Sequence, residues 1–552
     1  SYAAVLLVHS VLGVEVDHLK KTVTVRPTDV NLAFCGVTLP VPGGEIAYDW
    51  VKKGGRREET FAAPPGWRLV HASKAWRPSE RWIGVNLPYC LYHKEVRKEA
   101  RYNEEDFRFA AELGFNFIRL PLDYRCWIKD GDWNEIDDSA LDPLNEALAW
   151  GRKYGLHVQF CFHRAPGYSV NRWPKETRNL FREKDVLDVC ARHWRHFARR
   201  WRGIPNERLS FNLFNESPVD PKLAEVERYL IRAIHAEDPF RFIVADGSAC
   251  GEHPVAELES EQALVGQATR GYFPMSISHC GVSWMGEVGK GLPPRWPMHE
   301  FASPLYGLSK AAWRMPLRIQ EAPAGRWELL LGQVSSKNRL TVTADGLRVA
   351  EWQLDPATNS SDWAEAAYSP KWKRVTATPI APFRFDLARP ARELAVEVAE
   401  GDWVQVRRIA VTAATRTASL QSKPIWGKRV NVRPFVFRGW NEEIPFAEEG
   451  MPLSGDAWLE SQVFSEWIAC AARGNFVMVG ECGASGGAPY DVYLRWMEDQ
   501  LKVYERNGFG FAFWTLRGPY GVLDTGRKGA ETIDFHGHRL DKGMMDLVRK
   551  YK

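Results

Sequence analysis

The chain has 552 residues, 45% of them hydrophobic and 26% charged, which is enough for roughly two to four globular domains. Its net charge of +4 is small for this length and argues against a nucleic-acid partner held by charge. The nine cysteines are odd in number and scattered, with no C-x-x-C pair, so neither a disulfide framework nor a zinc or redox motif is predicted. No apolar run approaches the about 18 residues of a membrane span.

Residues 1–75 are predicted to form a β-rich N-terminal region. The runs 14–17 and 22–25 alternate with period two on either side of a polar turn, and a further strand is predicted for residues 45–51. Over residues 12–50 this region resembles the C-terminal β-sandwich of bacterial α-L-rhamnosidases, and a generic β-rich addition fits the pattern equally well.

From residue 81 the pattern changes to alternating strands and helices, which is typical of a parallel sheet. Eight strand–helix units fit an α/β fold, the (β/α)8 TIM barrel, which we assign to residues 76–303 and 418–552. The predicted strands are 81–86, 115–121, 157–163, 208–215, 241–246, 264–270, 475–481 and 509–514, and the predicted helices are 103–113, 140–154, 184–200, 221–237, 457–472, 491–507 and 541–552.

Between the sixth and seventh barrel strands, about 200 residues interrupt this rhythm. Within them, residues 304–417 read as short strands separated by turns such as Ala-Asp-Gly at 344–346. Strands at this spacing predict an inserted β-sandwich. A structureless loop of that length inside a compact domain is rare.

Polar residues end nearly all of the eight predicted barrel strands, and active sites of such barrels lie at these ends. Two of the apolar runs stop at a glutamate, Glu216 and Glu481, where a charge is costly unless the site uses it. Two such glutamates are the equipment of a retaining glycosidase, one as acid/base and the other as nucleophile. In chain order the strand ends carry Asn86, Arg119, His163, Asn215 with Glu216, Asp246, Arg270, Glu481 and Trp514, of which Asp246 is interpreted as part of a turn.

Eight short motifs follow one another along the barrel, at 84–87 (GVNL), 117–121 (FIRLP), 163–167 (HRAPG), 212–216 (NLFNE), 272–274 (YFP), 279–281 (HCG), 480–483 (GECG) and 513–514 (FW). As a set, they resemble glycoside hydrolase family 5 of clan A, the cellulase and mannanase family, over about 81–300 and 430–550. Any one of them alone is weak; their order makes the set specific.

This resemblance implies a role for each catalytic glutamate and its neighbours. Glu216 would be the general acid/base with a raised pKa, and Glu481 the nucleophile, their carboxyl groups roughly 5–5.5 Å apart. Arg119 would hold Glu481 ionised and oriented, and Tyr272 would donate a hydrogen bond to Glu481. Asn215 would bind the sugar 2-hydroxyl.

The resemblance also implies where the sugar binds. His163 would line the subsite of the cleaved sugar, and Trp514 would be its stacking floor. Trp284 is a candidate for a leaving-group subsite, with simple packing as the equal alternative.

Arg270 departs from the family pattern. Family members usually carry a His two residues before the Tyr of the sixth strand, and this chain has Arg270 there, followed by Gly271. A fixed cation is not equivalent to a titratable imidazole. We expect it either to depress the pKa of a nearby acid/base glutamate or to mark a different sugar in the site.

The prediction is therefore a retaining glycoside hydrolase acting on poly- or oligosaccharides, with β-1,4-glucan or mannan as the family default. The alternatives are an exo-acting arabinofuranosidase- or galactofuranosidase-type enzyme and a non-catalytic carbohydrate-binding protein. Two carboxylates need neither a metal nor an organic cofactor for this chemistry. No nucleic-acid or membrane partner is predicted.

Two further expectations complete the sequence-based hypothesis. The chain contains 24 Trp. Those of the predicted insert, Trp327, Trp352, Trp363 and Trp372, either form a carbohydrate-binding platform or pack the sandwich core, and burial is the commoner fate of Trp. The start of the chain lacks a basic leader and a cleavage site, so a signal was removed or the sequence begins within a longer protein. We expect a secreted or periplasmic location.

Overall fold

A computed structural model describes residues 14–17, 21–25, 33–53, 56–71, 76–88, 101–171, 174–285, 294–358 and 361–552. The chain divides into two compact units, each of which is described by itself. The first comprises residues 1–271, 466–482 and 507–516, and the second comprises residues 272–465, 483–506 and 517–552.

The first unit contains a closed barrel of eight parallel strands, as the sequence pattern predicts. The first strand pairs with both the second and the eighth, which closes the ring and leaves no free edge. A short strand, Tyr168–Ser169, adds antiparallel to the third. The barrel strands are Ile83–Asn86, Phe117–Asp123, His157–Ala165, Leu209–Asn212, Ile243–Asp246, Val265–Gly271, Val477–Cys482 and Gly510–Phe513.

The helices between these strands begin and end where local signals predict. The Asn103 side chain accepts a hydrogen bond from the Asp106 amide and caps the helix Glu104–Glu112. Gly155, in a left-handed conformation, ends the next helix. The longer helices of this unit are Glu104–Glu112, Asp142–Tyr154, Lys184–Arg200 and Leu223–Glu237.

The predicted helix 457–472 is wrong as a single element. The structure has two helices, Gly455–Gln462 and Ser465–Ala472. The amides of Val463 and Phe464 both donate to the Leu459 carbonyl, and Phe464 is fully buried. Burial of this ring turns the chain and ends the first helix.

Apolar and polar layers occupy opposite ends of the barrel interior. At the N-terminal end of the strands, a cluster includes Trp82, Phe117 and Met478, and the Trp82 ring stacks on Phe117 with centroids 5.0 Å apart. Gly84 is required here, because a Cβ at this position would lie 1.7 Å from the Phe117 carbonyl oxygen. The apolar layer closes one end and leaves the C-terminal strand ends for polar groups.

The N-terminal region forms two small sheets, in agreement with its predicted β character. One contains Val14–Asp17, Thr22–Val25 and Arg68–His71, and the other contains Phe34–Val41, Gly44–Lys53 and Arg56–Ala62. Side chains of both sheets, among them Val23 and Trp50, share one core cluster.

In the second unit, two sheets face a common core and form a β-sandwich inserted in the chain between the sixth and seventh barrel strands. Their strands run from residue 300 to residue 448, beyond both ends of the predicted range 304–417. The first sheet contains Glu300–Ser303, Leu305–Tyr306, Gly325–Ser335, Trp363–Ser369, Arg374–Pro379, Phe383–Leu387, Trp403–Ala413 and Arg416–Pro424; the second contains Leu317–Ala322, Asn338–Ala344, Leu347–Leu354, Ala391–Glu400, Phe435–Phe437 and Phe446–Glu448.

The insert's tryptophans mostly serve this core. Trp327 is fully buried, and Trp352 and Trp363 pack against the same cluster. Trp372 alone of the four is exposed, at 59%. Packing, one of the two alternatives from the sequence, therefore accounts for three of them.

The rest of the second unit is mainly helical. It includes the helices Tyr490–Arg506 and Lys542–Lys550 and the hairpin Thr532–Phe535 with His538–Asp541. Within the described ranges of the chain, no helix is both long and apolar enough to cross a bilayer.

Candidate active site

Arg119 organises the polar end of the barrel from the second strand. Its side chain is completely buried, and its Nη1 donates to Glu481 Oε1 at 2.8 Å and to Asn86 Oδ1 at 2.9 Å. Asn86 is itself fixed, because its Nδ2 donates to the carbonyls of Gly480 and Phe513. Glu481 thus receives a charge-assisted hydrogen bond from a buried guanidinium that is also hydrogen-bonded to Asn86.

Arg119 also fixes two asparagines on the fourth strand and just beyond it. Its Nε and Nη2 donate to Asn212 Oδ1 at 3.0 and 2.8 Å, and its Nη2 donates to Asn215 Oδ1 at 2.8 Å. Asn212 in turn donates to Asp246 Oδ1 at 3.0 Å. The network ties the second, fourth, fifth and seventh strands together at one end.

The orientation of the Asn215 amide follows from its partners. Arg119 and Arg270 each donate to Asn215 Oδ1 at 2.8 Å, so this atom must be the oxygen. Its Nδ2 is buried and has no acceptor among the residues that the structure describes. A buried donor without an acceptor is costly, and a ligand hydroxyl at this position would satisfy it.

Glu216 occupies a strained position beside this network. Its φ of +52° is left-handed, which costs a residue other than Gly about 1–3 kcal/mol. Two contacts hold it: its amide donates to Asp246 Oδ2 at 2.7 Å, and its carbonyl accepts from the Tyr168 hydroxyl at 2.5 Å. The side chain retains 19% exposure, so the carboxyl group faces the cleft.

The two glutamates have different surroundings. Burial and the nearby Glu481 carboxylate raise the pKa of Glu216 to about 7, although Arg270 acts in the opposite direction. Glu481 instead accepts from Arg119. One carboxyl group is therefore suited to carry a proton near neutral pH, while the other is held by a cation.

Arg270, on the sixth strand, contacts both glutamates and an aspartate. Its Nε lies 3.6 Å from Glu216 Oε1, and its Nη2 lies 3.6 Å from Glu481 Oε1. The same Nη2 donates to Asp246 Oδ2 and to Asn215 Oδ1. Arg270 thus links Glu216, Glu481, Asp246 and Asn215.

His163 and Trp514 lie together at the ends of the third and eighth strands. Their ring centroids are 5.3 Å apart. Burial, reinforced by Arg119 and Arg270, lowers the pKa of His163 well below its ordinary value, so the imidazole is neutral. Trp514 is half-buried and retains an accessible part of its ring.

The structure thus brings together seven of the nine predicted site residues: Arg119, His163, Asn215, Glu216, Arg270, Glu481 and Trp514. The other two belong to the second unit. Tyr272 is buried there with its ring edge-on to His279, and Trp284 is 70% exposed in a short 3-10 turn. A hydrogen bond from Tyr272 to Glu481 and a subsite role for Trp284 stay predictions.

Sequence reasoning missed three contributors to the network. Asn212 is a polar residue between Phe211 and Leu213 in a buried strand, and that break in the apolar run was a usable signal. Asp246 was interpreted as part of a turn, whereas its side chain is fully buried and accepts from three groups. Tyr168 carried no signal in the sequence.

Metal ligation has no visible basis in the part of the chain that the structure describes. No group of three or more His, Cys, Asp or Glu side chains there is arranged to hold an ion. Cys161, beside Arg119, is a buried thiol whose pKa is raised by burial to about 12.

The first unit is thus a (β/α)8 barrel protein. It has a buried arginine between polar strand ends and two glutamates at its C-terminal face, where active sites of such barrels lie. Residues 77–272 match the family model described as Cellulase (glycosyl hydrolase family 5). This match covers the first six barrel strands, the last of which is Val265–Gly271.

Individual relatives cover smaller parts of the chain. Endoglucanase C of Acetivibrio thermocellus is 27% identical over 171 residues, which is 30% of this chain and 49% of that protein. Glucan 1,3-beta-glucosidase 2 of Saccharomyces cerevisiae is 37% identical over 97 residues, 15% of this chain and 17% of that protein. The chain thus spans about half the length of Endoglucanase C and less of the other.

Solved structures extend the likeness in fold. A crystal structure described as that of a glycoside hydrolase is 22% identical, with a TM-score of 0.54, and covers 86% of this chain and 99% of that chain. At this identity the likeness shows the fold alone. The similarity of residues 12–50 to α-L-rhamnosidases stays a prediction.

Proposed function

We propose that the chain is a retaining glycoside hydrolase that cleaves β-glucan by double displacement. The observation that carries the proposal is the asymmetry of the two glutamates: Glu216 has a pKa raised to about 7, and Glu481 is held by Arg119 at 2.8 Å. Proton donation needs a carboxyl group that keeps its proton near neutral pH, and nucleophilic attack needs a second carboxyl group that is held in place in the same site.

In the first step, Glu481 attacks the anomeric carbon and a glycosyl–enzyme ester forms. The bond to the leaving oxygen breaks as Glu216 donates its proton to that oxygen. In the second step, Glu216, now ionised, removes a proton from water, and the water oxygen displaces Glu481. The anomeric configuration is retained because it is inverted twice.

Two neighbouring groups are proposed to bind the sugar during these steps. Asn215 Nδ2, whose orientation is fixed by two arginines, would donate to the 2-hydroxyl, a contact that strengthens in the transition state. Trp514, beside the neutral His163, offers a flat ring on which the sugar's apolar face can stack.

The substrate class rests on the printed names of relatives. Endoglucanase C, Cellodextrinase A of Ruminococcus flavefaciens and a glucan 1,3-beta-glucosidase all match parts of this chain. These names favour a β-glucan over a furanoside substrate. A polymer of this kind does not enter cells, so a location outside the cytoplasm is part of the proposal.

The test is chemical rescue with full-length protein. Glu481→Ala should lose activity on 2,4-dinitrophenyl β-cellobioside by at least about 10⁴-fold, and azide should restore turnover with an α-configured glycosyl azide as product. Glu216→Ala with azide should instead give the β-configured product, because Glu481 still forms the ester.

Several outcomes would count against the proposal. The first test is a panel of aryl pyranosides, aryl furanosides and β-glucans. If the unaltered chain and Glu481→Ala are equally inactive on all of them, the proposal of an enzyme is rejected and a binding protein is favoured. An α-configured azide from Glu216→Ala would exchange the two roles. Activity confined to aryl furanosides would show that the substrate is a side-chain sugar and not a β-glucan.

A further inference from the structure

Asp246 and Arg270 form an ion pair behind the two glutamates. Both side chains are buried, at 0% and 3% exposure, and Arg270 Nη2 donates to Asp246 Oδ2. A buried charge is tolerated only when it is paired and hydrogen-bonded, and each member here has further partners. Asp246 also accepts from Asn212 and from the Glu216 amide.

The fold makes room for this arginine. The ladder between the sixth and seventh strands shifts register between Thr269 and Arg270, so that Arg270 lies opposite Glu481. Such irregularities re-aim side chains next to active sites. A Cβ at Gly480 would lie 2.9 Å from Arg270 Nη1, so the glycine leaves space that the guanidinium fills.

The pair contacts three groups of the proposed reaction, Glu216, Glu481 and Asn215. Asp246 holds the strained Glu216 backbone through its amide, and Arg270 lies 3.6 Å from each glutamate. Arg270 also shares the Asn215 oxygen with Arg119. The substrate-binding role expected for Arg270 from the sequence stays a prediction.

We propose that Asp246 and Arg270 act together as a charge-neutral positioning pair that fixes Glu216, Glu481 and Asn215 in their reactive arrangement. The inference rests on the proposed function of the same site. Both residues would act through Glu216, Glu481 and Asn215, and each depends on the other for charge compensation. Removal of one charge leaves the other buried beside Glu216.

The electrostatic consequence has a sign. Asp246 raises the pKa of Glu216, and Arg270 lowers it. Loss of the Asp246 charge should therefore lower this pKa, and loss of the Arg270 charge should raise it. The ionisable groups that face Glu216 are Arg119, Asp246, Arg270 and Glu481, together with Tyr168 and Cys250, which stay uncharged because burial raises the pKa of each.

The experiment compares Asp246→Asn, Arg270→Gln, the double variant and Arg270→Lys in the full chain, with an aryl β-cellobioside as substrate. We expect kcat to fall about 10- to 100-fold in each single neutral variant, with KM changed less than threefold. The alkaline limb of the kcat/KM profile, which reports protonated Glu216, should move to lower pH in Asp246→Asn and to higher pH in Arg270→Gln, each by about 0.5 unit or more.

Two controls separate positioning from folding. Each variant's Tm is recorded, and Arg270→Lys, which keeps the charge, should leave the alkaline limb within about 0.2 pH unit of the unaltered enzyme. The double variant buries no net charge and should fold. Its loss of kcat should be smaller than the product of the two single losses, because the two residues act as one unit.

The outcomes are distinguishable from failure of the proposed function, which would appear as an inactive unaltered enzyme. With an active enzyme, alkaline limbs that do not move in opposite directions, or single losses that multiply in the double variant, overturn the inference. If a single variant fails to fold, the double variant decides the test. We then expect the double variant to fold and its kcat to fall at least tenfold. An unchanged kcat in the double variant would overturn the positioning role of the pair.

Discussion

At the residue scale, burial decides what each carboxyl group can do. Glu216, Asp246 and Glu481 lie within one network, and burial together with the nearby Glu481 carboxylate raises the pKa of Glu216 to about 7. Its neighbours differ: Asp246 pairs with Arg270, and Glu481 with Arg119. In the proposed mechanism, the acid is the glutamate whose pKa is raised by burial, and the nucleophile is the glutamate that accepts a hydrogen bond from Arg119.

We predict that kcat/KM for an unactivated aryl glycoside falls about tenfold per pH unit above pH 7, because Glu216 with a pKa of about 7 must be protonated to donate. The measurement is a pH–rate profile from pH 5 to 9. With a dinitrophenyl leaving group, which needs no proton, this alkaline limb should vanish. If the alkaline limb persists with that substrate, the limb reports the titration of a group other than Glu216.

A second buried glutamate gives a stability prediction. Glu227, on the helix Leu223–Glu237, is fully buried, accepts from Ser217 Oγ at 3.3 Å, and its Oε2 has no partner among the described residues. Burial raises its pKa well above the ordinary value. Its folded pKa therefore exceeds its unfolded pKa, and its contribution to stability is lost as pH rises from the unfolded value through the folded value.

Glu227→Gln should therefore be more stable than the unaltered chain at high pH and nearly equal at pH 4. The gain should grow by about 1.4 kcal/mol for each pH unit between the two pKa values. Urea unfolding at pH 4, 6 and 8 measures it, with Glu225→Gln on the exposed face of the same helix as control. A gain independent of pH would show that Glu227 does not titrate in this way.

At the element scale, the barrel strands are set by local pattern and by the space available between them. Gly84 allows the first strand to approach the second, since its Cβ would lie 1.7 Å from a backbone oxygen. Asn103 fixes where the first long helix begins. Elements with such local signals were predicted to within a few residues, whereas helix 457–472 was not, because buried Phe464 turns the chain there.

Gly84→Ala should lower stability by about 3 kcal/mol or more or prevent folding, because the clash is with backbone, which cannot rotate away. Gly486→Ala is the control: a Cβ there meets nothing within 4 Å. Differential scanning calorimetry of both variants provides the comparison. Equal Tm values would contradict the close packing of the first two strands.

At the scale of the whole molecule, the boundaries of the insert decide whether it can be removed without dividing a sheet. The strand Glu300–Ser303 pairs with Arg416–Pro424, so a cut at the predicted limits 304 and 417 would divide one sheet. Residues 300–448 contain every strand of both sheets. The described contacts of Glu216 and Glu481 with Arg119 and Arg270 lie within the first unit, which does not include the insert.

We therefore predict that replacing residues 300–448 by a short Gly/Ser linker keeps kcat/KM on an aryl β-cellobioside within about fivefold, whereas removing only residues 304–417 gives aggregated protein. Activity assays and size-exclusion chromatography check both. Collapse of small-substrate activity in the folded 300–448 deletion would mean that the insert shapes the catalytic pocket.

The sequence by itself determined the eight barrel strands, the inserted β structure and the residues at the strand ends, because strand periodicity and costly polar residues in apolar runs are local properties. Only the tertiary structure decided what those residues contact. The sequence placed Asp246 in a turn, whereas in the structure its side chain pairs with Arg270. The structure also shows that two guanidinium groups orient the Asn215 amide. The reason is that pairing between charges from different strands depends on register and burial, which no single segment of the chain contains.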